Sequence, residues 1–291
     1  MRGGPRPSLD PELPRPLKID RRMPRLYGRG VPDRRVNGIR LYFEEHGEGE
    51  PILCIHGTSS SALIWGEAVD VLARLGRVIV YDRRGCTRSE RPEPYERTTV
   101  SEHADDAAAL LESVSAIPAI VIGRSYGGEI AIDLSLRYPD HVRAVVLLEA
   151  AVLSLSPEAS NWAQALDERV HSAAAQGMGK MAETFIRWVL GDAGWEGLPP
   201  ELKQMFIDNG PAILAEFNGG GLQIDGADLA RVTKPTLLVA AEDSPEAFRQ
   251  VTHEMAASIP NARTALVAGG HLVNPAHPAV LAFVEEVLAA G

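Results

Sequence analysis

The sequence predicts an α/β protein with a mostly parallel sheet, and three observations support this. From residue 36 onward, short apolar runs alternate with helical patterns, which is typical of strand–helix–strand units. The alternation stops between residues 152 and 228, where helical stretches contain no clear strand. Two further strand–helix units then close the chain. We therefore predict one α/β core, residues 36–151 and 229–291, with a helical insertion at 152–228.

Each element follows from a local pattern. Asn37-Gly38 predicts a type I′ hairpin between strands 34–36 and 39–45, so the chain enters the sheet through an antiparallel edge. Six more strands, for eight in all, are predicted at Pro51–Ile55, Arg77–Tyr81, Ala119–Ile122, Val142–Leu148, Pro235–Ala241 and Arg263–Val267. Helices are predicted at Ala62–Leu75, from Thr99 with the capping box Thr99-x-x-Glu102, and at Ser125–Tyr138, Pro245–Ser258 and Pro278–Ala289.

Charge is distributed unevenly along the 291 residues. The formal net charge is −10, yet residues 1–35 hold ten basic and four acidic residues and seven of the 21 prolines. We interpret residues 1–35 as a flexible, basic, proline-rich arm on an acidic globule. The acidic balance argues against nucleic acid as a partner, because phosphate contacts need clustered Lys and Arg.

The remaining composition predicts a soluble protein. No run of about 18 apolar residues is present to act as a membrane anchor. Cys54 and Cys86 are the only cysteines, too few for a disulfide framework, so reduced thiols and a cytoplasmic location are the expectation. Histidine spacing gives no metal site, and we expect no cofactor. The oligomeric state cannot be predicted from the sequence.

The most informative segment is an apolar strand, Ala119–Ile122, that runs into Gly123-Arg-Ser125-Tyr-Gly127 and a helix. This G-x-S-x-G pattern places a serine on a sharp strand-to-helix turn, where its hydroxyl projects beyond the sheet. The helix that follows adds a positive dipole end and free backbone N–H groups. Ser125 is therefore the predicted nucleophile.

With this motif the sequence resembles the α/β-hydrolase superfamily, and the resemblance extends from about residue 35 to residue 290. Ile55-His56-Gly57-Thr58 is similar to the oxyanion segment of that family. The resemblance implies that the backbone N–H groups of Thr58 and Tyr126 form the oxyanion hole, with His56 structural. Asp82–Ser89 resembles the structural D-x-R-G-x-G-x-S loop of the family, with Thr87 replacing the second glycine, so its local conformation can differ.

Ser125 needs a base, because an alcohol is a poor nucleophile at neutral pH. His271, in Ala268-Gly-Gly-His271 after the last strand, resembles the Gly-His of the family before the final helix. We therefore predict His271 as the proton shuttle.

Two residues fit the family's order of serine, acid and histidine. Asp243 occupies the common position, but Ser244-Pro245 looks like an immediate helix start that leaves it little reach. Glu149 ends an apolar strand, where a carboxylate without a partner is costly. Its position also resembles that in Ser-Glu-His lactone hydrolases of the zearalenone-degrading type. We favour Glu149, with Asp243 as the alternative.

The resemblance implies that the insertion is a lid over the nucleophile. Its aromatic residues, Trp188 among them, and Trp65 are predicted to line a pocket for an apolar substrate, although single aromatics can equally pin helices to the core.

We predict a cofactor-free serine hydrolase of a hydrophobic carboxylic ester or lactone. Two alternatives remain: a carbon–carbon bond hydrolase or perhydrolase with the same triad, and a small-molecule receptor that retains the triad.

Overall fold

The computed structural model describes residues 33–290 and contains one eight-stranded sheet. Strands β1 to β8 span Asp33–Val36, Ile39–His46, Pro51–Ile55, Arg77–Tyr81, Ala119–Arg124, Val142–Leu148, Thr236–Ala241 and Ala262–Val267. Their order across the sheet is β1-β2-β4-β3-β5-β6-β7-β8. The pairs β1·β2 and β2·β4 are antiparallel, and the other five are parallel. The predicted fold class, a mostly parallel eight-stranded α/β sheet, is confirmed.

Ten helices accompany these strands within the described residues. Helices α1 to α10 span Ala68–Leu72, Val100–Ser113, Tyr126–Arg137, Pro157–Ala174, Met178–Gly197, Pro200–Asp208, Gly210–Gly219, Gly226–Leu229, Glu246–Ser258 and Pro278–Ala289. Helices α4 to α8 lie between β6 and β7, which is the region of the predicted insertion. In α5 the helix breaks at Gly191, whose φ is 74°. No helix within residues 33–290 is long and apolar enough to cross a membrane.

One predicted element needs correction, and another lies largely outside the described residues. The predicted helix Ala62–Leu75 is a 3₁₀ turn, Ala62–Trp65, followed by the short α1, because Gly66 between them adopts φ 48° and ψ −138°. These angles lie far from the helical values of φ and ψ, so the helix cannot continue through Gly66. The predicted arm falls outside the described residues except at 33–35, which belong to β1.

The central strands of the sheet are buried on both faces, as their near-continuous apolar sequences require, whereas the edge strands β1 and β8 have exposed residues. β5 and β7 have no exposed residue, and β3 and β4 are buried from their second residue onward. Because the six strands β3 to β8 run parallel, their carboxyl ends meet at one edge. The loops after β3, β5, β6 and β8 carry the predicted oxyanion segment, nucleophile, acid and base at that edge.

Candidate active site

Ser125 occupies a strained turn between β5 and α3. Its φ of 53° and ψ of −122° lie outside the regions that L-residues favour, and such strain concentrates at functional sites. The turn closes tightly: a Cβ added at Gly123 would lie 2.3 Å from the Gly127 carbonyl oxygen, and one at Gly127 would lie 2.1 Å from that of Ile55. Only glycine fits at these two positions, which explains the spacing of the motif. The Ser125 side chain itself is half-buried.

Glu149 and His271 form a buried pair beside this turn. Their exposed fractions are 0% and 5%, and Glu149 Oε2 lies 3.1 Å from His271 Nδ1. The other carboxylate oxygen, Oε1, accepts the backbone N–H of Ala241 at 2.6 Å. With Glu149 Oε2 as the acceptor, the proton of this contact lies on His271 Nδ1, which leaves the ring lone pair on Nε2. Nε2 is therefore available as a base.

Glu149 shares an unusual backbone conformation with Ser125. Its φ is 52°, and its N–H donates to the Val239 carbonyl at 2.9 Å. Non-glycine residues rarely adopt positive φ, and each such residue costs about 1–3 kcal/mol. Two of them stand at the ends of the adjacent strands β5 and β6. Both residues therefore lie at the same edge of the sheet.

Asp243, the alternative acid, lies elsewhere. It is exposed, and within residues 33–290 its carboxylate makes no hydrogen bond, whereas its backbone N–H donates to Gly269 O at 2.9 Å. α9 begins at Glu246, three residues after Asp243, with Pro245 as its N-cap. The connection from β7 to α9 is only four residues long, 242–245, which leaves the Asp243 carboxylate little reach toward His271. The structure brings His271 together with Glu149 and not with Asp243.

Arg124 ties the histidine loop to the nucleophile turn. Its Nη2 donates to the carbonyl of Val273, two residues after His271. Its guanidinium also lies 4.9 Å from the centre of the Trp65 ring. Burial lowers the pKa of Arg124 to about 10, with a smaller opposing effect from Cys54. Sequence analysis missed this residue, although a charged residue at the end of a buried strand is the same signal that identified Glu149.

The oxyanion segment lies against Ser125. A Cβ added at Gly57 would be 3.1 Å from the Ser125 Cβ and 3.7 Å from its Oγ. The Gly57 carbonyl accepts hydrogen bonds from His56 Nδ1 at 2.8 Å and Arg83 Nη2 at 2.9 Å. That carbonyl and the Thr58 N–H belong to one planar peptide and point in opposite directions. Fixing the carbonyl therefore fixes the direction of the Thr58 N–H.

Tyr126 begins α3, so its N–H is among the first-turn groups that have no partner within the helix. Its ring is buried, with the Arg83 guanidinium 5.1 Å from the ring centre. The N–H groups of Thr58 and Tyr126 thus flank the serine turn from β3 and α3.

His56 is a structural residue in this arrangement. The backbone N–H of Arg83 donates to its Nε2 at 2.9 Å, which places the ring proton on Nδ1. Burial, reinforced by the Arg83 charge, holds the pKa of His56 well below its usual value. The imidazole is therefore neutral and acts as a fixed donor to Gly57 O.

Arg83 connects the oxyanion segment to the insertion. Besides Gly57 O, its guanidinium contacts the His56 carbonyl at 3.0 Å and Glu216 Oε1, on α7, at 2.7 Å. Both charged side chains are at most 2% exposed. Burial by itself lowers the pKa of Arg83, but the neighbouring groups, Glu216 foremost, together outweigh this effect, so the pKa is raised. The predicted structural loop after β4 therefore also reaches the insertion.

The two predicted pocket residues have different environments. Trp65 is 1% exposed and belongs to the apolar core, with Arg124 over its ring, so no open face remains for a substrate. This corrects its predicted pocket role.

Trp188 is half-buried and belongs to a row of aromatic rings. Its ring lies 5.8 Å from that of Trp162, and the Trp162 ring lies 5.5 Å from that of Phe248. Phe248 in turn lies 4.3 Å from the His271 ring, so the row leads from the insertion to the predicted base.

Within residues 33–290, no group of three or more His, Cys, Asp and Glu side chains is placed to hold a metal ion. Cys54 and Cys86 are both buried and free, and burial raises the pKa of each thiol to about 12. Neither thiol can serve as a nucleophile near neutral pH.

Comparison with known proteins gives the family. The family model described as alpha/beta hydrolase fold matches residues 50–278. The uncharacterized hydrolase YraK of Bacillus subtilis is 35% identical over 120 residues, which are 41% of this chain and 44% of YraK, so the match spans less than half of that protein. The putative carbamate hydrolase RutD of Azorhizobium caulinodans is 28% identical over 259 residues, which cover 82% of this chain and 91% of RutD.

A solved structure extends the likeness over most of the fold. Est816, described as an N-acyl homoserine lactone degrading enzyme, has a TM-score of 0.68 and 23% identity to this chain. The match covers 89% of this chain and 99% of Est816. At that identity the likeness shows the fold alone. The family model over residues 50–278 shows that this chain belongs to the alpha/beta hydrolase fold family.

Proposed function

We propose that the chain is a serine hydrolase that cleaves a carboxylic ester or lactone of a hydrophobic small molecule through an acyl-enzyme. Ser125 is the nucleophile, His271 the base, and Glu149 the residue that orients His271. The single observation that carries this proposal is the buried contact of 3.1 Å between Glu149 Oε2 and His271 Nδ1. A carboxylate buried at the end of an apolar strand needs such a partner, and a histidine held at Nδ1 presents Nε2 to a serine.

In the first step, Ser125 Oγ attacks the substrate carbonyl while His271 Nε2 takes its proton. The imidazolium that forms donates to Glu149 and is stabilised by its charge. The carbonyl oxygen becomes an oxyanion that accepts the N–H groups of Thr58 and Tyr126. Collapse of the tetrahedral intermediate breaks the bond to the leaving alkoxide, to which His271 returns the proton.

In the second step, water replaces the alcohol. His271 removes a proton from water, the hydroxide attacks the acyl carbon, and the bond to Ser125 Oγ breaks with return of the proton to that oxygen. The products are a carboxylic acid and an alcohol, or one hydroxy acid from a lactone. The similarity to RutD, a putative carbamate hydrolase, and to Est816, an N-acyl homoserine lactone degrading enzyme, supports attack on a carbonyl group.

For the substrate we propose an apolar molecule held beneath α4 to α8 as a lid. The row of rings that ends on His271 supports this, because its members in α4 and α5 come from the insertion. Trp188 is the proposed pocket residue among them, since part of its surface is open. The net charge of −16 on residues 36–291 also makes an anionic substrate a poor fit.

Hydrolysis of p-nitrophenyl esters of increasing acyl length tests this proposal. We expect turnover by the wild-type protein, with a burst of p-nitrophenol equal to one product per active site when deacylation is slow. Ser125→Ala should lose at least about 1000-fold in kcat. Equal rates for the two proteins would refute the mechanism.

Related measurements on the same protein separate this proposal from its alternatives. A receptor would hydrolyse each ester very slowly and would raise its melting temperature on binding ligand. A carbon–carbon bond hydrolase would react with fluorophosphonate at Ser125 yet prefer a diketone to an ester, and a perhydrolase would yield a peracid when peroxide replaces water. Multiple rapid turnovers of esters and little activity with diketones or peroxide would support the proposal.

A further inference from the structure

We infer that Asn209, at the junction of α6 and α7, is a positioning residue that sets the geometry of the oxyanion segment from within the insertion. This inference rests on the proposed function, because it concerns the same oxyanion site. Asn209 stands 151 positions after Thr58 in the chain, and no motif of the sequence singles it out.

The Asn209 amide is buried and fully engaged. Its residue is 1% exposed, and its Nδ2 lies 3.1 Å from Ser59 O, 3.0 Å from Ser60 O and 3.0 Å from Thr87 Oγ1. Its Oδ1 accepts the backbone N–H of Thr87 at 2.8 Å. One side chain of the insertion therefore holds two loops of the core together at the edge of the sheet where Ser125 lies.

The carbonyls that Asn209 binds belong to the two residues after Thr58. Ser59 has a φ of 62°, a conformation that a serine adopts only when its surroundings hold it there. Asn209 acts on the Ser59 and Ser60 carbonyls, while Arg83 acts on the Gly57 carbonyl at 2.9 Å. The peptide that presents the Thr58 N–H is thus fixed by Arg83 on one side and by Asn209 on the other. Loss of either set of hydrogen bonds lets this peptide rotate.

Thr87 provides a second reason for the presence of Asn209. Thr87 occupies the position of a glycine in the related loop, and its φ is 43°. A glycine adopts that conformation freely, whereas a threonine requires compensation. Asn209 supplies it through the Thr87 N–H and hydroxyl. Thr87 and Asn209 therefore form one unit that links the loop after β4 to the oxyanion segment.

Another asparagine of the insertion, Asn218 on α7, serves as a matched control. Asn218 also connects the insertion to the core, because its Nδ2 donates to Glu96 O at 2.7 Å. Its Oδ1 lies 3.1 Å from His171 Nε2 on α4. It is exposed, and among residues 33–290 its side chain makes hydrogen bonds to His171 and Glu96 and none to the oxyanion segment or Thr87. Removing it should loosen the insertion without moving the Thr58 N–H.

The experiment compares Asn209→Ala, Asn209→Asp and Asn218→Ala with the wild-type protein on a p-nitrophenyl ester. Both Asn209 variants should lose about 10-fold to 100-fold in kcat, with KM changed less than about threefold, because a misplaced oxyanion donor weakens the transition state more than the ground state. Asn209→Asp keeps the side-chain volume and the acceptor for Thr87, and loses the donor to Ser59 and Ser60. Asn218→Ala should keep wild-type kcat.

A second readout is inhibition by phenylboronic acid, whose tetrahedral adduct on Ser125 places an oxygen in the oxyanion site. The inhibition constant should rise for the Asn209 variants in step with the fall in kcat, and stay constant for Asn218→Ala. Circular dichroism gives the folded fraction of each protein, and the isosteric Asn209→Asp replaces Asn209→Ala where the latter does not fold.

Wild-type kcat in a folded Asn209 variant, or an equal loss in Asn218→Ala, would overturn the inference. Failure of the proposed function would look different, since the wild-type protein itself would then not hydrolyse the ester.

Discussion

The two halves of the insertion are attached to the core in different ways. Helices α6 and α7 are bound by buried polar contacts: Asn209 holds Ser59, Ser60 and Thr87, and Glu216 pairs with Arg83. Helices α4 and α5 contact the core through apolar side chains, among them the aromatic row that ends at Phe248 and His271. The polar half meets the oxyanion side of the site, and the aromatic half meets the histidine side.

This difference has a physical consequence. Buried hydrogen bonds are directional and costly to leave unmade, so they specify one position. Apolar contacts are non-directional, so rings can slide past one another at small cost. We therefore expect the oxyanion side to be rigid and the aromatic side to adapt to the substrate. The helix break at Gly191, in the aromatic half, is consistent with this division.

The largest expected effect is on the buried ion pair of the polar half. Glu216→Ala leaves the Arg83 guanidinium buried without its carboxylate partner, and we expect a loss of about 3–5 kcal/mol in the free energy of unfolding. The matched change in the aromatic half is Glu183→Ala, which removes a more exposed pair with Arg187. It should cost under about 1 kcal/mol. Urea unfolding measures both, and equal losses would contradict the division between the halves.

The next prediction concerns Glu129, whose carboxylate accepts the backbone N–H of Leu222 just beyond α7. Burial raises the pKa of Glu129 from 4.5 to about 8, against the smaller lowering effect of that hydrogen bond. Between these two pH values the folded protein keeps a proton that the unfolded chain releases. The free energy of unfolding should therefore fall as pH rises through this window, by at most about 1.4 kcal/mol per pH unit.

Glu129→Gln removes the titration and keeps an oxygen to accept the Leu222 N–H. Its free energy of unfolding should exceed that of the wild-type protein by a growing margin from about pH 5 to about pH 8. Urea unfolding at several pH values gives this margin. A margin that is constant with pH would show that Glu129 does not titrate in this range.

A smaller effect is expected where the aromatic row touches His271. Phe248→Leu removes the ring that lies 4.3 Å from the imidazole, and kcat should fall about threefold to tenfold as the base loses one support. Phe283→Leu, an equally buried phenylalanine on α10, serves as the control and should lower stability while leaving kcat unchanged. Steady-state kinetics with both variants tests this prediction. An equal fall in kcat would show that the effect comes from looser packing of the core and not from the contact between Phe248 and His271.

The smallest expected effect is at Trp188. Trp188→Leu shortens the aromatic wall proposed to contact the substrate, so KM for long-chain esters should rise a few-fold while kcat stays near the wild-type value. The ratio of KM values between the variant and the wild-type protein, measured across acyl lengths, should increase with chain length. A ratio that does not depend on chain length would remove Trp188 from the proposed pocket.

Much of the fold could be predicted because its signals are local. Alternating apolar runs and helical patterns located all eight strands, and G-x-S-x-G located the turn at Ser125. The break at Gly66 was missed, because Ala62–Leu75 has a helical pattern of apolar residues and the φ of 48° that interrupts it is one that glycine adopts freely.

The supports of the site were harder to foresee. Asn209 lies 122 residues from Thr87, and Glu216 lies 133 residues from Arg83. A contact across such a separation leaves no periodic or spacing signal in a single sequence. Trp65 was assigned to the pocket for its aromatic character, yet its neighbours place it in the core. Arg124 could have been found, because the strand before it is apolar.

The central claim is that Glu149, and not Asp243, orients His271 for attack by Ser125. The most direct measurement is kcat for ester hydrolysis by Glu149→Ala and Asp243→Ala, with the folded fraction of each checked by circular dichroism. We predict a loss of about 1000-fold or more for Glu149→Ala and a change under about threefold for Asp243→Ala. Near-normal turnover by folded Glu149→Ala with loss of activity in Asp243→Ala would contradict the account.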